Sequence, residues 1–166
     1  MQSTQDPPDG KHLEFADTVT VASTKTELWE HIHDPAFIAR CVPGIQSVEK
    51  MSEQLYTGEV SRGIGHLTLT VTGEVEIIDQ HEPDWLITEG RAYDERTHTD
   101  FIGAAAMELE QLDDGTVDLA YEATLTFNGG GAALPTRLLR TIVESDVEAY
   151  FENIKAAAQD DGSSGR

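Results

Sequence analysis

The stretch at residues 34–50, DPAFIARCVPGIQSVEK, changes from a helical to a strand-like pattern at one point, and this change decides the fold. Pro35 suits the first position of a short helix, AFIARC, because its φ is already helical and its missing N–H is not needed there. Val42-Pro43-Gly44 ends this helix, since Pro fixes φ and Gly permits a positive φ. The stretch therefore predicts a sharp corner, after which a strand begins at Ile45.

The residues before this corner predict one strand and one further helix. Residues 13–22 have a strand pattern that ends at Ser23-Thr24. Thr24 followed by Glu27 forms a capping box, so a short helix should run through LWEHIH. Asp34-Pro35 ends that helix, because Pro disfavours α geometry in the residue before it.

The chain after the corner predicts a series of strands and then one long helix. Alternation of apolar and polar residues is typical of half-buried strands, and Asp113-Asp114-Gly115 is typical of a hairpin turn. Apolar residues then recur at three- and four-residue steps from Leu134 to Ile154, which indicates an amphipathic helix. The strands are predicted at residues 45–51, 55–63, 66–78, 85–91, 99–112 and 116–128.

This order of elements predicts an α+β fold. A meander of strands with one polar face leaves one apolar face, and the long C-terminal helix is the element large enough to cover it. We therefore expect a curved antiparallel sheet of about six to seven strands around this helix, an arrangement that often leaves a cavity between them. Residues 13–157 should form one domain, between a disordered N-terminal segment at 1–12 and a disordered tail at 158–166, both polar.

The acidic charge is spread along the whole chain. Asp and Glu number 31 against 11 Lys and Arg, which gives a formal net charge of −20. Such a charge strains a compact state through self-repulsion, and molar salt removes the strain by screening. This favours a halophilic cytoplasm, such as a haloarchaeal one, with an acidic docking surface as the alternative. Nucleic acid is excluded as a partner because phosphate binding needs a basic patch.

Cysteine content and apolar runs exclude several other classes of protein. A single Cys rules out an intrachain disulfide and a Cys-rich zinc site. No apolar run approaches the roughly 18 residues of a membrane span, and the N-terminus lacks a signal-peptide pattern. We therefore expect a cytoplasmic protein without a metal or another cofactor.

Several motifs resemble those of one family. Trp29, then Asp34-Pro35, then Ala39-x-Cys41-Val42-Pro43-Gly44-Ile45 are similar to the pattern W-x-x-L-x-D-P-x-x-[LIV]-x-x-C-[IV]-P-G-[VI] of the carbon monoxide dehydrogenase CoxG family. Weaker matches extend the resemblance over residues 13–157, among them Tyr56-x-Gly58, Gly63-x-Gly65 and Arg137-Leu138-Leu139. The family belongs to the START-like (SRPBCC) superfamily, so the resemblance implies the helix-grip, or START/Bet v-like, fold.

The resemblance also implies a function. Members are thought to be non-catalytic accessory proteins of molybdenum-containing CO dehydrogenases, which assist assembly or membrane and quinone coupling and carry a quinone- or lipid-like molecule in the cavity. A molybdenum hydroxylase is then the implied partner, with at most peripheral contact to the inner membrane face. The alternative is a small START-like enzyme, a cyclase or hydrolase acting on an apolar or aromatic substrate. Its acid/base candidates are Tyr121, His98 and Arg91.

Strand parity and the helical stripe predict which residues would line the cavity. Gly103-Ala104-Ala105-Ala106 is unusual in a central strand, because such small residues fill little volume. Either the helix packs directly on them, or they leave a pocket for an apolar ligand. The predicted lining consists of Leu69, Val71, Phe101, Gly103, Ala105, Met107, Leu119 and Tyr121 on the sheet, with Leu138, Ile142 and Phe151 on the helix.

No residue presents a convincing catalytic or metal site. Cys41 lies at the C-terminal end of a helix, where the dipole opposes a thiolate, so we expect a buried packing residue. His31 and His33 point in different directions and are expected on the surface. His98 and Asp100 would share a strand face and could bind a metal or transfer a proton, although a solvated strand end explains them as well.

Overall fold

The computed structural model describes residues 11–64, 67–129 and 136–164. In this part of the chain, a seven-stranded sheet is combined with three helices, as the sequence predicts. The elements are β1 Lys11–Val21, α1 Lys25–Ile32, α2 Pro35–Cys41, β2 Ile45–Lys50, β3 Leu55–Ile64, β4 Leu67–His81, β5 Trp85–Asp94, β6 Thr99–Gln111, β7 Val117–Gly129 and α3 Thr136–Ser164.

Local signals in the sequence account for the two short helices. The Thr24 side chain accepts a hydrogen bond from the Glu27 N–H at 3.1 Å, and the Glu27 carboxylate accepts one from the Thr24 N–H, which completes the predicted capping box. At the start of α2, the Asp34 carboxylate accepts a hydrogen bond from the Ala36 N–H at 3.0 Å, and Pro35 occupies the first turn. The helix ends at Cys41, and Gly44 in the corner has φ +76°.

The sheet is a meander that is extended at one edge by its first strand. Strands β2 to β7 pair antiparallel in sequence order, and β1 pairs antiparallel with β7, which gives the order β1-β7-β6-β5-β4-β3-β2. Alternate residues therefore point to an inner face, toward the helices, and to an outer face, toward solvent. Helix α3 lies beside β1 and α2.

Two separate apolar cores lie on the inner face. The first core joins α1, α2 and the C-terminal half of α3 to the strands, and includes Leu28, Phe37, Leu119 and Ile154. The second core lies under the N-terminal half of α3 and is built from Leu13, Leu69, Phe127 and Leu139, with the partly buried residues Phe15, Phe101, Leu125, Ile142 and Val143 around them.

Two details differ from the sequence analysis. His98 is not on a strand face with Asp100, because it lies in the turn before β6 with φ +55°. Helix α3 continues to Ser164, beyond the predicted domain end at residue 157. The predicted N-terminal segment falls mostly on residues 1–10, which lie outside the described part of the chain, and the domain limits stay a prediction.

Candidate ligand-binding cleft

Small residues separate the two cores on the inner face of the sheet. Along β6, Phe101 contacts the second core and Met107 contacts the first core. Between them lie Gly103 and Ala105, both partly exposed although β6 is a central strand. The register places Gly90 of β5 opposite Gly103. The small residues therefore form a trough that crosses the sheet beneath α3.

Helix α3 does not fill this trough. Among the described residues, a Cβ atom built on Gly103 would have only Thr124 O, at 3.1 Å, and Leu125 Cδ1, at 3.6 Å, within 4 Å. Neither atom belongs to α3, so at Gly103 the described part of the helix does not approach within 4 Å of this position, which favours the open pocket over direct packing. Val75, which shares the inner face, is 43% exposed. We call the space between the trough and α3 the cleft.

The structure places the predicted lining residues as follows. Leu69, Leu119 and Tyr121 are buried. The residues that are partly exposed on the inner face are Val71, Phe101, Gly103, Ala105 and Met107. On α3, Ile142 packs on the second core and Phe151 stacks on Tyr121 with ring centroids 3.8 Å apart.

Leu138 differs from its predicted position. It is 40% exposed, whereas the next residue, Leu139, is 2% exposed and belongs to the second core. The two residues belong to the same apolar stripe in the sequence, and the rotation of α3 on the sheet selects Leu139 for burial. Ligand contact by the predicted lining residues stays a prediction.

An ion pair links the sheet to α3 across one side of the cleft. Arg62, on β3, donates two hydrogen bonds to the Asp146 carboxylate, from Nε at 2.9 Å and from one terminal nitrogen at 2.8 Å. The Arg62 side chain passes Gly44, because a Cβ built there would lie 2.7 Å from Arg62 Cδ. We call this pair the Arg62–Asp146 clamp; its bidentate geometry fixes the direction of both side chains.

A buried polar cluster lies at the end of β5. Asp94 is 1% exposed, and its carboxylate accepts hydrogen bonds from the Thr70 N–H at 3.1 Å and the Thr97 N–H at 3.0 Å. Burial raises the pKa of Asp94, but hydrogen bonds from Thr97 and Thr70 and the charge of Arg96 outweigh it, so the net pKa is lowered. Asp94 thus holds the turn between β5 and β6 as a satisfied carboxylate.

A solvent-open groove lies on the opposite, outer side of the sheet. This groove, of about 550 Å³, is open to solvent and is formed mainly by outward-facing residues such as Glu74, Arg91, Tyr93, Asp100 and Ile102. Its lining mixes charged, polar and apolar side chains, whereas the cleft is lined mainly by apolar residues. The cleft therefore suits an apolar ligand better than the groove does.

The predicted role of Cys41 is confirmed, and that of the two histidines needs correction. Cys41 is 0% exposed, and its carbonyl accepts a hydrogen bond from Asn153 of α3 at 2.9 Å. His31 and His33 are half-buried rather than free surface residues, because His31 stacks on Phe37 and the His33 ring hydrogen-bonds to Trp29 O at 2.7 Å.

The structure does not bring the acid/base candidates together. Arg91 is exposed on the outer face, and His98 is exposed in its turn, where its ring nitrogen Nδ1 lies 3.0 Å from the Tyr93 hydroxyl. Tyr121 is buried, and burial together with Asp17 and Glu148 raises the pKa of its hydroxyl. In the described residues, no group of three His, Cys, Asp or Glu side chains could hold a metal, and no helix combines the length and apolarity that a membrane span requires.

Sequence reasoning missed the clamp and the Asp94 cluster. The alternating pattern of β3 places Arg62 on the inner face of the sheet. A charged residue at such a position indicates a buried or partly buried ion pair, and this was the available signal. The partner of such a residue depends on how α3 crosses the sheet, which strand patterns do not specify.

The chain is similar to known proteins in sequence and in structure. Residues 18–159 match the family model of CoxG, a subunit of carbon monoxide dehydrogenase. No curated protein matches the chain. A conserved protein from Geobacillus kaustophilus has a similar structure, with TM-score 0.79, 19% identity and coverage of 90% of this chain and 97% of that one.

Two further solved structures share the fold at low identity. A START superfamily protein from Mycobacterium smegmatis has TM-score 0.68 and 11% identity, covering 90% of this chain and 99% of its own. The ZhuI aromatase/cyclase from Streptomyces sp. R1128 has TM-score 0.67 and 17% identity, covering 91% and 96%. These likenesses establish the helix-grip fold. Because the family model spans most of the domain, this chain belongs to the carbon monoxide dehydrogenase CoxG family.

Proposed function

We propose that this protein binds an apolar, quinone- or lipid-like small molecule in the cleft, as a non-catalytic accessory protein of a molybdenum CO dehydrogenase-type oxidoreductase. The observation that carries the proposal is the uncovered trough: no atom of the described part of α3 lies within 4 Å of a Cβ built on Gly103. Apolar surface that is open to water has an unfavourable free energy, so an apolar ligand that covers this surface binds favourably. Family membership supports the link to the oxidoreductase and to quinone coupling.

Ala105 and Ala104 provide a matched pair of variants for testing the cleft. They are neighbours on β6, but Ala105 faces the cleft and Ala104 is exposed on the outer face. Ala105→Phe should occupy the trough and reduce the amount of co-purified apolar ligand at least tenfold, whereas Ala104→Phe should leave it unchanged. Lipid extraction followed by mass spectrometry measures the bound molecule, and circular dichroism verifies that both variants fold.

The role as an accessory protein has its own test. The purified protein should retain a molybdenum CO dehydrogenase-type enzyme from the same cells in a pull-down, and the Ala105→Phe variant should retain it equally, because Ala105 lies inside the cleft. A wild-type protein that carries no apolar molecule, or one whose ligand is unaffected by Ala105→Phe, contradicts binding in the cleft. Failure to retain such an enzyme contradicts the accessory role.

A further inference from the structure

The outer face of the sheet carries a continuous groove that crosses six strands. The groove of about 550 Å³ runs from β3 to β7, and a smaller groove of about 220 Å³ continues it to β2. Thr57 and Thr72 line both, so the two form one path, which we call the outer groove. Neighbouring strands lie about 4.8 Å apart, so the outer groove is roughly 24 Å long, the length of about seven extended residues.

One end of the outer groove presents an aromatic and an aliphatic side chain to solvent. Tyr93 is 40% exposed and Ile102 is 51% exposed, although both lie on central strands. Because Arg91 pairs with Ile102 across the strands, Tyr93, two residues along β5, is the diagonal neighbour of Ile102. The Tyr93 hydroxyl lies 3.0 Å from His98 Nδ1, which restrains the ring. Tyr and Arg beside exposed apolar surface are typical of protein-binding sites.

The outer groove has an acidic lining whose charges have no partner. Glu74 and Arg91 lie directly opposite each other in the register, yet they form no ion pair. Elsewhere on the outer face, the His12 ring contacts both Glu14 and Thr126 at hydrogen-bond distance. Such a lining complements a basic partner. The charged side chains of the outer groove, which form no hydrogen bond or ion pair within the described residues, are Glu49, Glu59, Glu74, Asp100 and Arg91.

We infer that the outer groove is a docking surface for an extended segment of a partner protein. The segment has basic residues over β2 to β4, where three of the carboxylates lie, and one large apolar side chain over Tyr93 and Ile102. A small molecule is a poorer occupant, because such ligands are buried in enclosed sites, whereas the outer groove is shallow and long. The inference goes beyond the proposed function: this surface lies on the side of the sheet opposite to the cleft, so docking and ligand binding can occur together.

The peptide acetyl-KRKTVTW-amide, labelled with rhodamine, tests the apolar end with the full chain. It is basic at one end, strand-forming in the middle and aromatic at the other end. Fluorescence anisotropy at 0.1 M KCl should show that Ile102→Thr weakens binding at least fivefold. Thr keeps the β-branched shape that suits a strand. Ile78→Thr is the matched control, because Ile78 is 47% exposed but lies outside the outer groove, and it should leave the affinity unchanged.

A second pair of variants tests the acidic lining with the same peptide. Glu74→Gln should weaken binding at least twofold more than Glu122→Gln does. Glu122 is exposed on the same face but outside the outer groove, so both variants remove one charge and differ only in its place. The peptide acetyl-EEETVTW-amide should not bind detectably.

Photo-crosslinking locates the bound peptide. When benzoylphenylalanine replaces the tryptophan, the peptide should attach to β5 or β6 near Tyr93 and Ile102, as mass spectrometry of the digested protein shows. Absence of binding, equal effects within either pair of variants, or crosslinks outside the outer groove would overturn the inference. A dimer that Ile102→Thr converts to a monomer in sedimentation without peptide would also overturn it, because a second copy would then be the occupant. None of these outcomes depends on a ligand in the cleft.

Discussion

Gly44 lies at the corner between α2 and β2, and its surroundings leave no room for a side chain. Its φ is +76°, and a Cβ atom would lie 2.4 Å from Ser61 O and 2.7 Å from Arg62 Cδ. The Ser61 N–H donates to Gly44 O at 2.9 Å, so the corner is also hydrogen-bonded to β3. The glycine of the family motif thus lets the corner approach β3 closely, and Cys41 beside it fills the core.

Gly44→Ala should therefore destabilise the protein by about 3 kcal/mol, from backbone strain at positive φ and from displacement of β3. Gly115→Ala is a matched control, because Gly115 has φ +87° and, its chain neighbours apart, no atom of the described residues within 4 Å of a built Cβ. The control variant should lose only about 1 kcal/mol. Urea unfolding measures both changes. Equal losses in the two variants would show that close approach to β3 does not constrain Gly44.

At the scale of elements, the Arg62–Asp146 clamp is the contact that ties β3 to α3. Asp146→Asn should lower the free energy of unfolding by up to about 1 kcal/mol at low salt, because the amide has no negative charge and places an NH2 donor where the second acceptor oxygen was. This loss in the free energy of unfolding should be smaller in 3 M KCl, because the ion pair is partly exposed and salt screens it.

Glu144→Gln provides the control for the clamp, because Glu144 is exposed on the same helix. This variant also removes one negative charge, so in a chain of net charge −20 it should be neutral or slightly stabilising at low salt. Thermal melts of both variants at 0.1 and 3 M KCl make the comparison. Equal changes in melting temperature for Asp146→Asn and Glu144→Gln would show that the clamp does not contribute to stability.

Much of the element pattern could be predicted from the sequence, because its signals are local. The capping box at Thr24, the break at Asp34-Pro35 and the turn at Asp113-Asp114-Gly115 each depend on a few adjacent residues. The site was less predictable. The burial of Leu139 instead of Leu138 and the partner of Arg62 both depend on the angle and rotation of α3, which the packing of the two cores determines.

For the whole molecule, charge is the property that should control stability. With a net charge of −20 on one domain, we expect the melting temperature to rise with KCl from 0.1 to 3 M, because screening weakens the repulsion between carboxylates. A melting temperature that stays flat or falls with salt would indicate that the acidic residues serve a partner surface.

At low salt, the melting temperature should first rise and then fall as the pH is lowered. Acidification from pH 7 to about 5 begins to neutralise carboxylates, so the melting temperature should rise. Asp94 acts in the opposite direction, because its pKa is lower in the folded state than in the unfolded state. Its contribution to stability is therefore complete above the usual Asp pKa of about 3.9. This contribution is lost as the pH falls through the lowered pKa of the folded state. Stability should therefore decline below about pH 4, and melts from pH 3 to 7 at 0.1 M KCl check both limbs.

The pairing of β1 with β7 has a consequence for how the chain folds during synthesis. Val21 pairs with Val117, and Lys11 pairs with Phe127, so the first strand needs a partner roughly a hundred residues further along the chain. Strands β2 to β7 pair with neighbours in sequence and can assemble as they leave the ribosome. The first strand has to wait, with Leu13, Phe15 and Val19 exposed, until nearly the whole domain has been translated. Addition of β1 to the sheet, and with it the completion of the second core, which contains Leu13, should then be a late event in folding.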